Sequence, residues 1–196
     1  AFDKTAKIMG LGFPGGPAVE RFAKQALDRD RFSMPRMLMK DKTCTFSFAG
    51  LKTAARRAWD QIEAPDDADR ADLAAAVQAA IASHLAERAG RAMTRFRAEH
   101  PDAERPVIVA AGGVAANGAV RAALSETAAA KGFTLLAPPL KYCTDNAAMI
   151  ALAGAERLAL GQIDGLDAPA RARWPLDAAA AAAAPASGGG RKGPKA

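Results

Sequence analysis

Val107-Ile108-Val109-Ala110-Ala111-Gly112-Gly113-Val114-Ala115-Ala116-Asn117 joins a β-branched apolar run to two glycines and then to a helical pattern. That order is the sequence form of a strand feeding a turn and a helix. Downstream, the pattern predicts a helix over 115–130, a stop at Gly132, a short strand Phe133-Thr134-Leu135-Leu136 and a helix from Asp145 to Leu160. Strands alternating with helices of that length make βαβ units and a largely parallel sheet, so residues 106–177 read as an α/β part.

Residues 1–105 read as mainly helical. A helix runs from Ala1 to about Leu11, Phe13-Pro14-Gly15-Gly16-Pro17 forces a turn, and a second helix covers 18–27. Cys44-Thr45-Phe46-Ser47-Phe48 alternates apolar and hydroxyl side chains and predicts a half-buried strand ended by Gly50, with a helix over 51–62. Pro65-Asp66-Asp67 then caps a helix in which Leu73, Val77, Ile81, Leu85 and Ala89 recur every four residues up to about Phe96. From Ala178 a run of seven alanines passes into Pro185-Ala186-Ser187-Gly188-Gly189-Gly190, and 178–196 are expected to be a disordered Ala/Gly-rich tail.

The 196 residues carry 27 Lys and Arg against 21 Asp and Glu, a formal charge of +6 that favours anionic partners such as RNA without proving one. Part of the excess, Arg191, Lys192 and Lys195, sits in the tail. With two cysteines, Cys44 and Cys143, the chain reads as a protein of a reducing compartment, and the Ala-rich segments are too interrupted by charge to span a membrane. The chain opens inside a predicted helix with neither Met nor a capping residue before it, so it reads as the C-terminal portion of something longer.

Two segments carry candidate chemistry. Glycine at 112 and 113 lets the backbone adopt positive φ and approach a ligand, while the first amides of the next helix offer partial positive charge to a phosphate. Asn117, placed one turn into that helix, could meet a ribose or phosphate; equally, the glycines could make a tight turn and Asn117 be a surface polar residue. In Tyr142-Cys143-Thr144-Asp145-Asn146, Asp145 could be a hard-oxygen metal ligand or a first-turn carboxylate favoured by the helix dipole. His84 and His100 lack partners at metal-ligand spacing and read as packing or surface histidines, and Cys143 as a small buried residue. Lys52, Arg56 and Arg57 could belong to an RNA-facing surface or to a solvated helix face.

These segments resemble the TsaD family of tRNA adenosine threonylcarbamoyltransferases. Further words carry the likeness: Ala1-Phe2-Asp3-Lys4-Thr5-Ala6-Lys7, Pro14-Gly15-Gly16-Pro17, Phe46-Ser47-Phe48-Ala49-Gly50-Leu51-Lys52-Thr53 and Arg173-Trp174-Pro175-Leu176. The resemblance implies the C-terminal lobe of an actin-like (RNase H-like) ATPase fold with a helical insertion. It implies that Asp3, Gly112, Gly113 and Asn117 bind ATP or threonylcarbamoyl-AMP, and that Asp145 is one ligand of a divalent metal, iron or zinc. It implies transfer of threonylcarbamoyl to the adenosine beside the tRNA anticodon, with tRNA, a paralogous actin-like subunit and an accessory ATPase as partners, in the cytoplasm and away from membranes. The family's other metal ligands and its Ser-Gly-Gly-His phosphate loop are not among these residues, so this chain alone is expected to be inactive. Two other classes fit the same lobe: a small-molecule kinase, binding ATP and Mg²⁺ without tRNA, and a non-catalytic lobe that binds tRNA or protein.

Overall fold

A computed structural model describes residues 1–144 and 147–168. The order of elements is α1 (Phe2–Ile8), α2 (Gly15–Ala23), α3 (Ala49–Asp60), α4 (Asp67–Glu99), β1 (Val107–Val109), a 3₁₀ turn (Gly113–Ala116), α5 (Gly118–Ala130), β2 (Thr134–Leu136), a second 3₁₀ turn (Leu140–Tyr142) and α6 (Ala147–Ala159). The chain divides into two compact units, 1–146 and the residues from 147 onward.

The first unit is organised by α4, whose 33 residues span about 50 Å. Asp66 starts it with a reciprocal capping box: its carboxylate accepts from the Asp69 amide at 2.9 Å, and the Asp69 carboxylate accepts from the Asp66 amide at 2.8 Å. That amide, joined by the Arg31 guanidinium, holds the Asp69 carboxyl below the usual carboxylate range despite its burial. Leu73, Val77 and Ile81 point into one core with Phe2, Met9, Val19 and Leu51 from α1–α3 and Val120, Leu124 and Phe133 from the later elements. Residues on both sides of position 105 thus share a core. The helix ends before Pro101, which disfavours helical backbone in its predecessor His100.

Helix α2 begins at Gly15, three residues before the expected start, because the Asp3 carboxylate accepts from the Gly15 amide at 3.0 Å and so caps the helix from α1. A Cβ on Gly15 would lie 2.6 Å from the Asp3 Cα, so glycine is what lets α1 and α2 approach this closely.

The expected strand at 44–48 does not form. Its alternation is real but serves another end: Phe46 and Phe48 both set ring edges against His84, with centroids at 6.2 and 5.3 Å, and the Ser47 amide between them donates to His84 Nε2 at 3.3 Å. Gly50 lies inside the first turn of α3 instead of ending a strand.

Strands β1 and β2 pair in parallel, Val107 with Thr134, Ile108 with Leu135 and Val109 with Leu136, connected through α5, so the βαβ expectation holds for this mixed α/β unit. Only the middle residues turn inward; Val107, Val109 and Leu136 remain exposed. In the second unit, α6 has no buried residue, and Met149, Ile150, Leu152 and Leu158 are all exposed. Among the described residues no helix is long and apolar enough to cross a membrane. The tail at 178–196 and Arg173-Trp174-Pro175-Leu176 lie outside the described residues.

Candidate functional site

The turn after β1 is where the two informative segments meet. Gly112 sits at φ 85°, ψ 177°, a backbone region that essentially only glycine occupies, and it launches the 3₁₀ turn that leads into α5. A Cβ on Gly113 would stand 3.9 Å from the Cys143 carbonyl oxygen, so the segment that precedes Asp145 lies directly beside the glycine pair. Arg121, from the first turn of α5, ties the arrangement: its Nε donates to the Ala115 carbonyl at 3.0 Å and its Nη2 is 3.8 Å from the Cys143 sulfur. Cys143 is buried, as expected, with its sulfur 3.7 Å from the Pro138 carbonyl.

Asn117 is neither one turn into the helix nor on the surface. It is the N-cap of α5 and is 5% exposed. Its Oδ1 accepts from the Val120 amide at 3.0 Å, and its Nδ2 donates to Gln78 Oε1 of α4 at 2.8 Å. An amide side chain has two hydrogens and two acceptor positions, so one of each is still uncommitted. The helix start is further occupied by Glu20 of α2, which accepts from the Gly118 amide at 3.2 Å while pairing with Lys24 at 3.5 Å. Two of the first α5 amides are therefore already satisfied from within the protein, contrary to the expectation that they are offered to a phosphate. The backbone available to a ligand is the Gly112–Gly113 turn just upstream, where nothing lies within 4 Å of the position a Gly112 Cβ would take.

Asp3 lies at the other end of α2 from Ala23, its carboxylate on the Gly15 amide. Helix α2 thus links it to the α5 start, since Glu20 lies five residues, about 7.5 Å, along the same helix. Asp145 falls outside the described residues. Among the described residues no three His, Cys, Asp or Glu side chains converge on a point where a metal could sit. Lys52 and Arg57 are exposed on α3, and Arg56 is paired to Asp60 at 2.7 Å.

Sequence reasoning missed Gln78, Glu20 and Arg121. Gln78 had a signal, a polar residue on the buried Ala/Val face of α4; Glu20 and Arg121 had none, because their partners are 98 residues away and on another loop.

A model of the family described as TsaD, tRNA N6-adenosine threonylcarbamoyltransferase, matches residues 1–152. The chain belongs to the TsaD family. Curated proteins bearing that same name are similar along its whole length: 68% identical in Maricaulis maris, 61% in Caulobacter vibrioides and 54% in Brucella anthropi. All of this chain is covered in each case, but 52%, 52% and 54% of those proteins. The chain therefore spans about half the length of the TsaD relatives it matches, and the matched half contains both the Gly112–Gly113 turn and the Cys143 segment beside it.

Proposed function

We propose that these residues form the C-terminal, actin-like lobe of a cytoplasmic tRNA N6-adenosine threonylcarbamoyltransferase, contributing one wall of its nucleotide site. The observation that carries the reading is the proximity of the Gly112–Gly113 turn to the Cys143 backbone, close enough that a Cβ added at Gly113 would stand 3.9 Å from the Cys143 carbonyl oxygen, which brings together two segments 30 residues apart. In the reaction, the exocyclic amine of adenosine forms a bond to the threonylcarbamoyl carbonyl carbon. The bond from that carbon to the phosphate oxygen breaks, AMP leaves with the electron pair, and the amine loses a proton.

In this reading the residues of the chain take the following roles. Gly112 and Gly113 let backbone come close to the phosphate or ribose of ATP or threonylcarbamoyl-AMP. Asn117 would use its uncommitted amide hydrogen toward the nucleotide, while its other contacts fix the turn between α4 and α5. Asp3 would approach the ribose from the α1–α2 junction. Asp145 supplies at most one ligand for a divalent ion, iron or zinc. The described residues do not complete a ligand set, so the remaining donors would come from elsewhere in the full-length parent. tRNA, a paralogous actin-like subunit and an accessory ATPase are the partners this reading requires. The test is transfer of labelled threonylcarbamoyl to unmodified tRNA by the full-length parent with its partner subunits. Label in tRNA that depends on the parent supports the reading, and phosphorylation of a small molecule without any need for tRNA would replace it.

A further inference from the structure

Segment 29–39 arches over α4 and leaves a groove of about 730 Å³, within the range of small-molecule sites, that has no part in the nucleotide site described above. Met34, Met37 and Phe32 form one wall; Ala76 and Ala80 of α4 form a smooth floor. At one end lies His84, a side chain 5% exposed. Because its Nε2 accepts from the Ser47 amide, the ring proton resides on Nδ1, a nitrogen that this hydrogen bond leaves uncommitted. Burial, then the neighbouring Arg88 charge, keeps the ring neutral by holding its pKa below the ordinary value. His84 thus lines the groove as a side chain held toward its neutral form, in company with three methionines.

The charges around the groove favour an anion. Arg29 and Arg36 line it and are exposed, and Lys40 follows the lining residue Met39. Of the two acids in the lining, Glu87 is already ion-paired to Arg91 and lies 3.3 Å from Arg88 Nε, which leaves Asp30 against the two arginines. Methionine sulfurs and a phenylalanine ring suit the face of a flat, polarisable group, and Phe46, half exposed beside His84, extends that surface.

We propose that this groove receives one unpaired nucleotide of the RNA substrate. Its base lies against Met34, Met37 and Phe32, a base nitrogen or carbonyl oxygen accepts from His84 Nδ1–H, and the flanking phosphates meet Arg29 and Arg36. The inference rests on the tRNA-modifying reading, and it gives that reading a second point of contact, outside the site of transfer. Unpaired bases are recognised in this manner, by stacking and edge hydrogen bonds, while arginine contacts to phosphate add a salt-dependent component.

The experiment measures binding of an unmodified tRNA transcript to the full-length parent across a salt series, for the unaltered protein, the exposed pair Arg29→Glu with Arg36→Glu, and separately Met34→Gln. Peroxide oxidation of Met34 and Met39, with and without the transcript, is followed alongside. The expected results are at least a tenfold loss of affinity for the arginine pair and a salt slope shallower by about 1.4, two phosphate contacts at about 0.7 each. A smaller loss is expected for Met34→Gln, and slower oxidation of Met34 and Met39 when RNA is bound. ATP binding by the arginine pair should equal that of the unaltered protein, which shows that the fold is intact. Affinity within twofold of the unaltered protein, or protection of the methionines by a protein subunit and not by RNA, overturns the groove while leaving the transferase reading standing. An unaltered parent that neither binds tRNA nor transfers to it overturns both.

Discussion

Along α4, Leu73 and Val77 are fully buried, and three buried polar side chains of the helix are tied to other segments: Gln78 holds Asn117, Asp72 accepts from the Leu27 and Asp28 amides, and Arg88 donates to the Asp41 and Thr43 carbonyls. In the β1–β2 sheet, by contrast, Val109 is 67% and Leu136 51% exposed, and two strands of three residues are too little sheet to stand without cover. The α4 region closes its own core, whereas the region bearing the Gly112–Gly113 turn presents apolar surface and free backbone outward. That openness is what the proposed nucleotide wall would require.

The sharpest way to break the contrast is at Arg88. Its Nη1 donates to the Asp41 and Thr43 carbonyls at 2.8 and 2.7 Å, and Nη2 donates to Leu38, where the backbone turns at φ 52°. Arg88→Ala leaves those carbonyls without a donor and should cost about 3–5 kcal/mol in urea unfolding, with segment 38–43 losing hydrogen-exchange protection. A loss under about 1 kcal/mol would mean that α4 does not depend on that segment. Next comes Gly15→Ala, which drives a Cβ into the Asp3 Cα and should cost about 1–3 kcal/mol, separating α1 from α2. Asn117→Asp keeps the cap on Val120 but removes the donor to Gln78. It should cost about 1 kcal/mol, and Asn117→Ala, which loses both, clearly more; equal values would deny the bond across to α4.

The smallest effect is a pH dependence. His84 is held neutral in the folded protein, so its contribution to stability is present above the ordinary histidine pKa near about 6.5 and is lost as pH falls through that value toward the lowered one. Unfolding curves between pH 7.5 and about pH 5 should show the loss, and His84→Gln should flatten it. An unchanged slope in that variant would place the pH dependence on other groups.

How much of this was written in the sequence follows the same division. The α4 periodicity and its Asp66 cap are local signals, and both appear as read, as does the parallel pairing around α5. Phe46 and Phe48 alternate as a strand would, yet their partner is His84, a helix residue some 37 positions on, and nothing within five residues encodes that. The Gly112–Gly113 turn was legible because positive φ demands glycine, but the position of Asn117 was not. A 3₁₀ turn takes up 113–116 and shifts the helix start, which turns a side chain expected at the surface into a buried cap shared with Gln78.

The most direct test of the central claim, that the Gly112–Gly113 turn is a nucleotide wall, is the affinity of the full-length parent for an ATP analogue with Gly112→Ala compared against Gly161→Ala. Both glycines have positive φ, 85° and 70°, and open space around the added Cβ, so both substitutions carry backbone strain of about 1–3 kcal/mol. The account predicts at least tenfold weaker binding for Gly112→Ala and unchanged binding for Gly161→Ala. Equal affinity in the two variants would contradict it.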